Sequence, residues 1–158
     1  MKTFKLFFTL CLASIFVLSV NSCKKEKTEE LGPYYKIPSA ETLKGSYSHL
    51  LDVENGAQIV DYRSQAEFVA GHIPGAINIP ATIANTASDD ADFCKKILAR
   101  CNKSTPVLLY GKKSAADLEH IVPGRVSKIG YGYDKTFVLL GGFEGWKKAY
   151  PTEIQTGR

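Results

Sequence analysis

Side chains able to do chemistry stand at three places in this chain. Two thiols, Cys94 and Cys101, lie seven residues apart. A carboxylate and a guanidinium, Asp61 and Arg63, close the apolar run Ile59-Val60. A basic segment, Gly111-Lys112-Lys113-Ser114-Ala115-Ala116, follows a second apolar run at 105–110. A thiol acts as a nucleophile only as the thiolate, or it can oxidise. In one continuous helix Cys94 and Cys101 would be about 10.5 Å apart along the axis, too far for a disulfide, which needs Cα atoms within about 7 Å. A bridge requires the helix to end before Cys101; otherwise the two are small core residues. Arg cannot give up its proton, so Asp61 and Arg63 read as an ion pair or cap that holds the following turn. The segment 111–116 runs from a strand into a helix. Successive amides at such a junction form an anion site without any side chain, which Lys112, Lys113 and Ser114 would reinforce. The competing reading is that the lysines are solvated loop charges, and Asp117 would repel an anion. No His pair stands near the cysteines at zinc-ligand spacing, so no metal and no cofactor is expected.

The elements that must position these residues follow from hydrophobic spacing. Lys36-Ile37-Pro38 is a short edge strand. Ser39 caps a helix on whose face Leu43, Tyr47, Leu50 and Leu51 fall. Asn55-Gly56 is a turn, and 58–62 is a buried strand. Ser64 is the N-cap of the next helix, with Glu67 its capping-box partner. Gly71 stops that helix, Pro74-Gly75 turns the chain, and 76–79 alternates as a strand. A helix starting at Asp89 or Asp90 presents Phe93, Cys94, Ile97, Leu98 and Cys101 on one side. Residues 105–110 are apolar on both faces, as in the centre of a parallel sheet. A helix from about Ala115 uses Leu118, Ile121 and Val122, is interrupted at Pro123-Gly124, and resumes with Val126 and Ile129. Residues 136–140 form the last strand, and Gly141-Gly142-Phe143-Glu144-Gly145-Trp146 turns into a helix stopped at Pro151. Strands alternating with helices predict a three-layer α/β domain, a mainly parallel five-stranded sheet with helices on both faces.

Two strings in this frame are specific. Asp61-x-Arg63, Glu67-Phe68 and 71–80, GHIPGAINIP, resemble the signature of the rhodanese (sulfurtransferase) family, and Leu140-Gly141-Gly142-Phe143-x-x-Trp146 resembles its C-terminus. In active rhodaneses the loop after the central strand starts with a nucleophilic Cys and carries an Arg five residues later. The Cys takes sulfur from a donor, becomes a persulfide and passes the sulfur on, while the loop amides and the Arg stabilise the anion. Mapped onto this chain, the resemblance puts Gly111 at the Cys position, Ala116 at the Arg position and Ser114 at the usual glycine. It therefore implies a rhodanese-like domain without catalytic residues. The candidate ligand-binding residues are 111–116 with Asp61 and Arg63. His72 lies in the GHIPGA string and reads as a structural hydrogen bond to the turn; His49 and His120 carry no pattern.

The chain has 158 residues, room for one cored domain. Its formal charge is +4. Without Lys2 and Lys5, 18 basic residues stand against 16 acidic ones, and no basic stripe suggests nucleic acid. Met1–Lys5 is short and basic, Leu6–Val20 is apolar, and Val20-Asn21-Ser22-Cys23 resembles a bacterial lipobox. The apolar run, about 15 residues, is short of the ~20 that a spanning helix needs. The expected organisation is an export signal at 1–22, a charged tether at 23–34, the domain at 35–152 and a tail at 153–158. Cys23 would bear lipid and hold the protein to the cell envelope, with the membrane face undetermined. Three functions compete. The first is a membrane-tethered, non-catalytic domain binding a small anion, a peptide or a partner protein. The second is a sulfurtransferase using Cys94 or Cys101. The third is a redox or structural disulfide.

Overall fold

The computed structural model describes residues 32–81, 87–112 and 116–158, with the side chains of 87–90 and 116–120 outside that description. The expected export signal, most of the expected tether, Cys23, Lys113, Ser114 and Ala115 therefore lie outside the described residues.

The strands are β1 (Tyr35–Ile37), β2 (Gln58–Asp61), β3 (Ile77–Asn78), β4 (Val107–Tyr110) and β5 (Thr136–Leu139). The helices are α1 (Ala40–Ser46), α2 (Gln65–Ala70), α3 (Ala87–Arg100), α4 (Ala116–Val126) and α5 (Gly142–Ala149). The sheet order is β1-β5-β4-β2-β3, and every pairing is parallel. Parallel neighbours require crossovers, and these carry the helices to both faces. The central strand β4 is buried along its whole length, as its apolar run requires. Its side chains alternate between two cores. Leu108 and Tyr110 join Leu43, Phe68, Phe143 and Trp146 on the α1, α2 and α5 face. Val107 and Leu109 join Phe93, Ile97, Val122 and Val126 on the α3 and α4 face.

Local signals account for most boundaries. The Ser39 side chain accepts from the Thr42 amide at the start of α1. Ser64 and Glu67 form a complete capping box on α2, which ends at Gly71. Beyond α1 the chain continues in a short 3₁₀ turn, Ser48–Leu50, whose Leu50 is buried with Leu43.

Two expectations are corrected. Pro123-Gly124 does not interrupt α4, which runs through Pro123 to Val126. Proline removes one backbone donor, but Val122 and Val126, 3 % and 0 % exposed, pack on either side of it and hold the helix in place. The break comes later, in a wide turn over Ser127–Tyr131 where Gly130 adopts a φ of 116°. Leu98 is exposed and does not join Phe93 and Ile97 in the core. The fully buried residues of α3 are Phe93 and Ile97, followed at the same spacing by Cys101 just past the helix end, with Cys94 partly buried beside them. Leu98 lies about 100° of helical rotation from Ile97, on the outer side. Residues 153–158 bond back to the domain: Lys44 pairs with Glu153 at 2.6 Å, His72 and Gln155 exchange backbone hydrogen bonds, and the Gly157 amide donates to the Val69 carbonyl.

Candidate functional site

In an open parallel sheet a ligand meets the chain beyond the C-terminal strand ends. Here those ends are Ile37, Asp61, Asn78, Tyr110 and Leu139. The register sets Asp61 beside Tyr110, so the Asp61–Arg63 pair and the segment after β4 come together.

Asp61 and Arg63 are both buried. Arg63 donates from Nε to both Asp61 oxygens at 3.0 and 3.1 Å, from Nη2 to Oδ2 at 2.5 Å, and from Nη2 to the Gly71 carbonyl at 2.7 Å. Its guanidinium lies 4.0 Å from the Phe143 ring centroid, which makes a cation–π contact. Burial works against the Arg63 charge, but the hydrogen bonds and field of Asp61 outweigh it and raise the guanidinium above its ordinary range. The ion-pair reading of these two residues holds. Arg63 ties β2 to the end of α2 and to α5, and its Nε and Nη2 donors are taken up by Asp61 and the Gly71 carbonyl.

The turn after α2 is fixed from below. The Ile73 amide donates to the Tyr110 hydroxyl at 3.1 Å, and burial first, then the Asp61 carboxylate, pushes that phenol far above its usual range. His72 is buried, with Nδ1 2.9 Å from the Phe68 carbonyl oxygen and its ring stacked on Phe68 at 3.8 Å. It acts as the structural residue that its place in the sequence suggests.

The segment after β4 begins at Gly111, which is buried. Its carbonyl accepts from the Phe143 amide at 2.8 Å, and Lys112 bridges to Gly142. Gly142 has a φ of 50°, and a Cβ there would stand 2.1 Å from the Gly111 oxygen. Glycine at 142 is thus required twice, by conformation and by contact. On its other side Gly111 faces Tyr62, whose ring leaves no room for a Cβ at position 111. Lys112 is exposed, its Nζ 3.5 Å from Glu67 Oε1. The Ser64 hydroxyl, and further down the Lys112 charge, hold the Glu67 carboxyl below its usual range. Ala116 opens α4.

The structure therefore brings Gly111, Lys112, Asp61 and Arg63 to one strand-end region, with the first pair on the loop and the second pair locked beneath it. Sequence reasoning missed Tyr62. Its position between Asp61 and Arg63 marks it as facing the opposite side of the sheet, but nothing in the sequence pairs it with Gly111. The sequence marks Glu67 only as a cap, and in the fold it also meets Lys112.

Cys94 and Cys101 are both unbridged thiols packed into one core, as the small-core-residue reading has it and not the disulfide alternative. Cys101 is buried before β4, at the end of that strand remote from Gly111, and burial raises its thiol pKa. Among the described residues no group of three or more His, Cys, Asp or Glu side chains is placed to hold a metal ion. A surface cavity of about 350 Å³ lies between α1, the Ile73-Pro74 turn and Trp146, rimmed by Lys44 and Glu153.

Comparison with known proteins agrees with this geometry. The family model of the rhodanese-like domain matches residues 45–149. The thiosulfate sulfurtransferase GlpE of Pseudomonas fluorescens (strain SBW25) is 30 % identical over 104 residues, covering 66 % of this chain and 83 % of that protein. Among solved structures, the BH2092 protein of Bacillus halodurans superposes with a TM-score of 0.51 at 21 % identity, over 79 % of this chain and 77 % of that one. The rhodanese-like domain of the Alr3790 protein from Anabaena sp. gives 0.50 at 19 % identity, over 78 % and 79 %. The two structures speak for the fold, and the family model for membership. With its parallel sheet, its buried acid–arginine pair and its strand-end loop, the chain belongs to the rhodanese-like domain family.

Proposed function

We propose that this protein is a rhodanese-like domain that has given up sulfur transfer and serves as a membrane-tethered binding module. One observation carries the reading: the loop at the end of β4 starts with Gly111, and no cysteine follows Cys101 in the sequence. Sulfur transfer of the kind named in the Pseudomonas relative needs a thiolate that attacks the donor sulfur and carries it as a persulfide. Neither remaining thiol of the domain suits that role. Cys101 is buried at the far end of β4 with a raised pKa, and Cys94 sits on α3, against the core of Val60 and Leu109 and not on the loop after β4.

The loop keeps a cationic rim at Lys112 and the entry into α4. These favour a small anion or an acidic side chain of a partner protein. Lys112 offers a mobile point charge, so binding is weak and falls with salt, because exposed charges are screened within about 8–10 Å. The tether reading rests on the leader and on the charged segment after Cys23.

The test is an NMR titration of the protein with sulfate and thiosulfate at low salt. Amide shifts confined to the neighbourhood of residues 111–116, reversed by added salt, are expected. No shift at millimolar ligand would reject the anion site.

A further inference from the structure

We infer that Tyr62 is a second block on sulfur chemistry at this loop, independent of the missing thiol: its ring fills the volume into which any side chain at position 111 would project. The inference rests on reading the segment after β4 as the family's active loop, and it names the residue that closes it.

Gly111 is not among the glycines with positive φ, so its backbone conformation does not call for glycine. The space around it does. A Cβ on Gly111 would stand 2.2 Å from Cε2, 2.6 Å from Cζ and 2.9 Å from the hydroxyl oxygen of Tyr62. Carbon atoms do not approach so closely, so one side must move. Tyr62 is 1 % exposed and packed with Val60, Ile79 and Leu109. Its amide donates to the Tyr110 carbonyl and its carbonyl accepts from the Ala81 amide, both at 3.0 Å. Gly111 is pinned from the opposite side by the Phe143 amide and by the close approach of Gly142. A packed interior transmits such an overlap as strain. Tyr62 and Gly111 therefore form one packing unit, in which the ring occupies the space that a side chain at position 111 would need.

The functional consequence is specific. A nucleophile restored at position 111 has nowhere to stand while the Tyr62 ring is in place. The restored thiol stays inaccessible, and any ligand of the loop is met at the outer rim by Lys112.

The experiment is a double-mutant cycle on the full chain. Gly111→Ala is made in the parent, in Tyr62→Phe, which keeps the ring, and in Tyr62→Val, which removes it. We expect the alanine to lower the melting temperature by about 4 °C or more in the first two backgrounds, or to prevent folding there. In Tyr62→Val it should cost about 2 °C or less. If Tyr62→Val does not fold, Tyr62→Leu takes its place. Equal losses in all backgrounds, or no loss in the parent, would overturn the inference. A second readout uses Gly111→Cys and iodoacetamide, where the thiolate displaces iodide and the label is located by peptide mass. Labelling at position 111 should be at least about tenfold faster with Tyr62→Val than with Tyr62, the ratio a 1.4 kcal/mol difference would give. Equal rates would overturn the plug. Thiosulfate turnover by the parent would remove the proposed function and leave the cycle untouched, whereas an additive cycle would remove the plug and leave the missing thiol as it is.

Discussion

Arg63 and Asp61 show how much one pair can hold. Their side chains are 5 % and 0 % exposed, so removing one leaves the other as an uncompensated buried charge. Arg63→Ala is expected to cost about 3–5 kcal/mol, measured as a shift of the urea midpoint. A loss below about 1 kcal/mol would show that water reaches the pair. The Glu67 carboxylate behaves differently because it is half exposed. The Ser64 hydroxyl, then the Ser64 amide and Lys112, lower its pKa from 4.5. A depressed carboxylate contributes stability that is present above the unfolded pKa and lost as pH falls through the folded one. The stability difference between parent and Glu67→Gln should therefore be constant near neutrality and shrink as the pH drops below about 4.5, the ordinary carboxyl value. A difference that grows on acidification would contradict the assignment. Of these residues the pair at 61 and 63 and the capping box are legible in the sequence, because each partner lies within three positions of the other. Tyr62 against Gly111 is not, because that contact depends on β2 and β4 lying side by side.

Among the elements, the joint between β4 and α5 is the least forgiving. Gly142→Ala meets both a φ of 50° and the Gly111 carbonyl oxygen at 2.1 Å. The left-handed conformation and the overlap together predict a loss of at least about 2 kcal/mol. At Gly145, three residues on in the same helix, an added Cβ would meet nothing within 4 Å. Gly145→Ala should be neutral or stabilise by up to about 1 kcal/mol through helix propensity. Chemical denaturation of the two variants checks the contrast, and similar losses would contradict it. The sequence locates α5 from Gly142-Phe143 and the stop at Pro151, and it locates β4 from six consecutive apolar or small residues. It misplaces the end of α4, because Pro123 is a strong local signal and the packing of Val122 and Val126 that overrides it is not local. Leu98 falls on the expected core face for the opposite reason: spacing marks a stripe but not its width, and width depends on how closely α3 approaches the sheet.

On the proposed reading the whole molecule combines a family scaffold with an altered centre. The parallel sheet, the buried pair under the loop and the glycine joint at β4 and α5 are in place, while the loop base holds glycine with a ring against it. The proposed tether rests on the N-terminal segment and Cys23, which lie outside the described residues. Cys23→Ala should move the protein from the membrane fraction to the soluble one, and unchanged retention in that variant would contradict lipidation at Cys23. Among the described residues no helix is long and apolar enough to cross a membrane. The most direct measurement of the central claim is sulfur transfer from thiosulfate to cyanide by the purified full chain at steady state. Product no faster than the uncatalysed background is predicted. Turnover above background that disappears with Cys94→Ala or Cys101→Ala would contradict it.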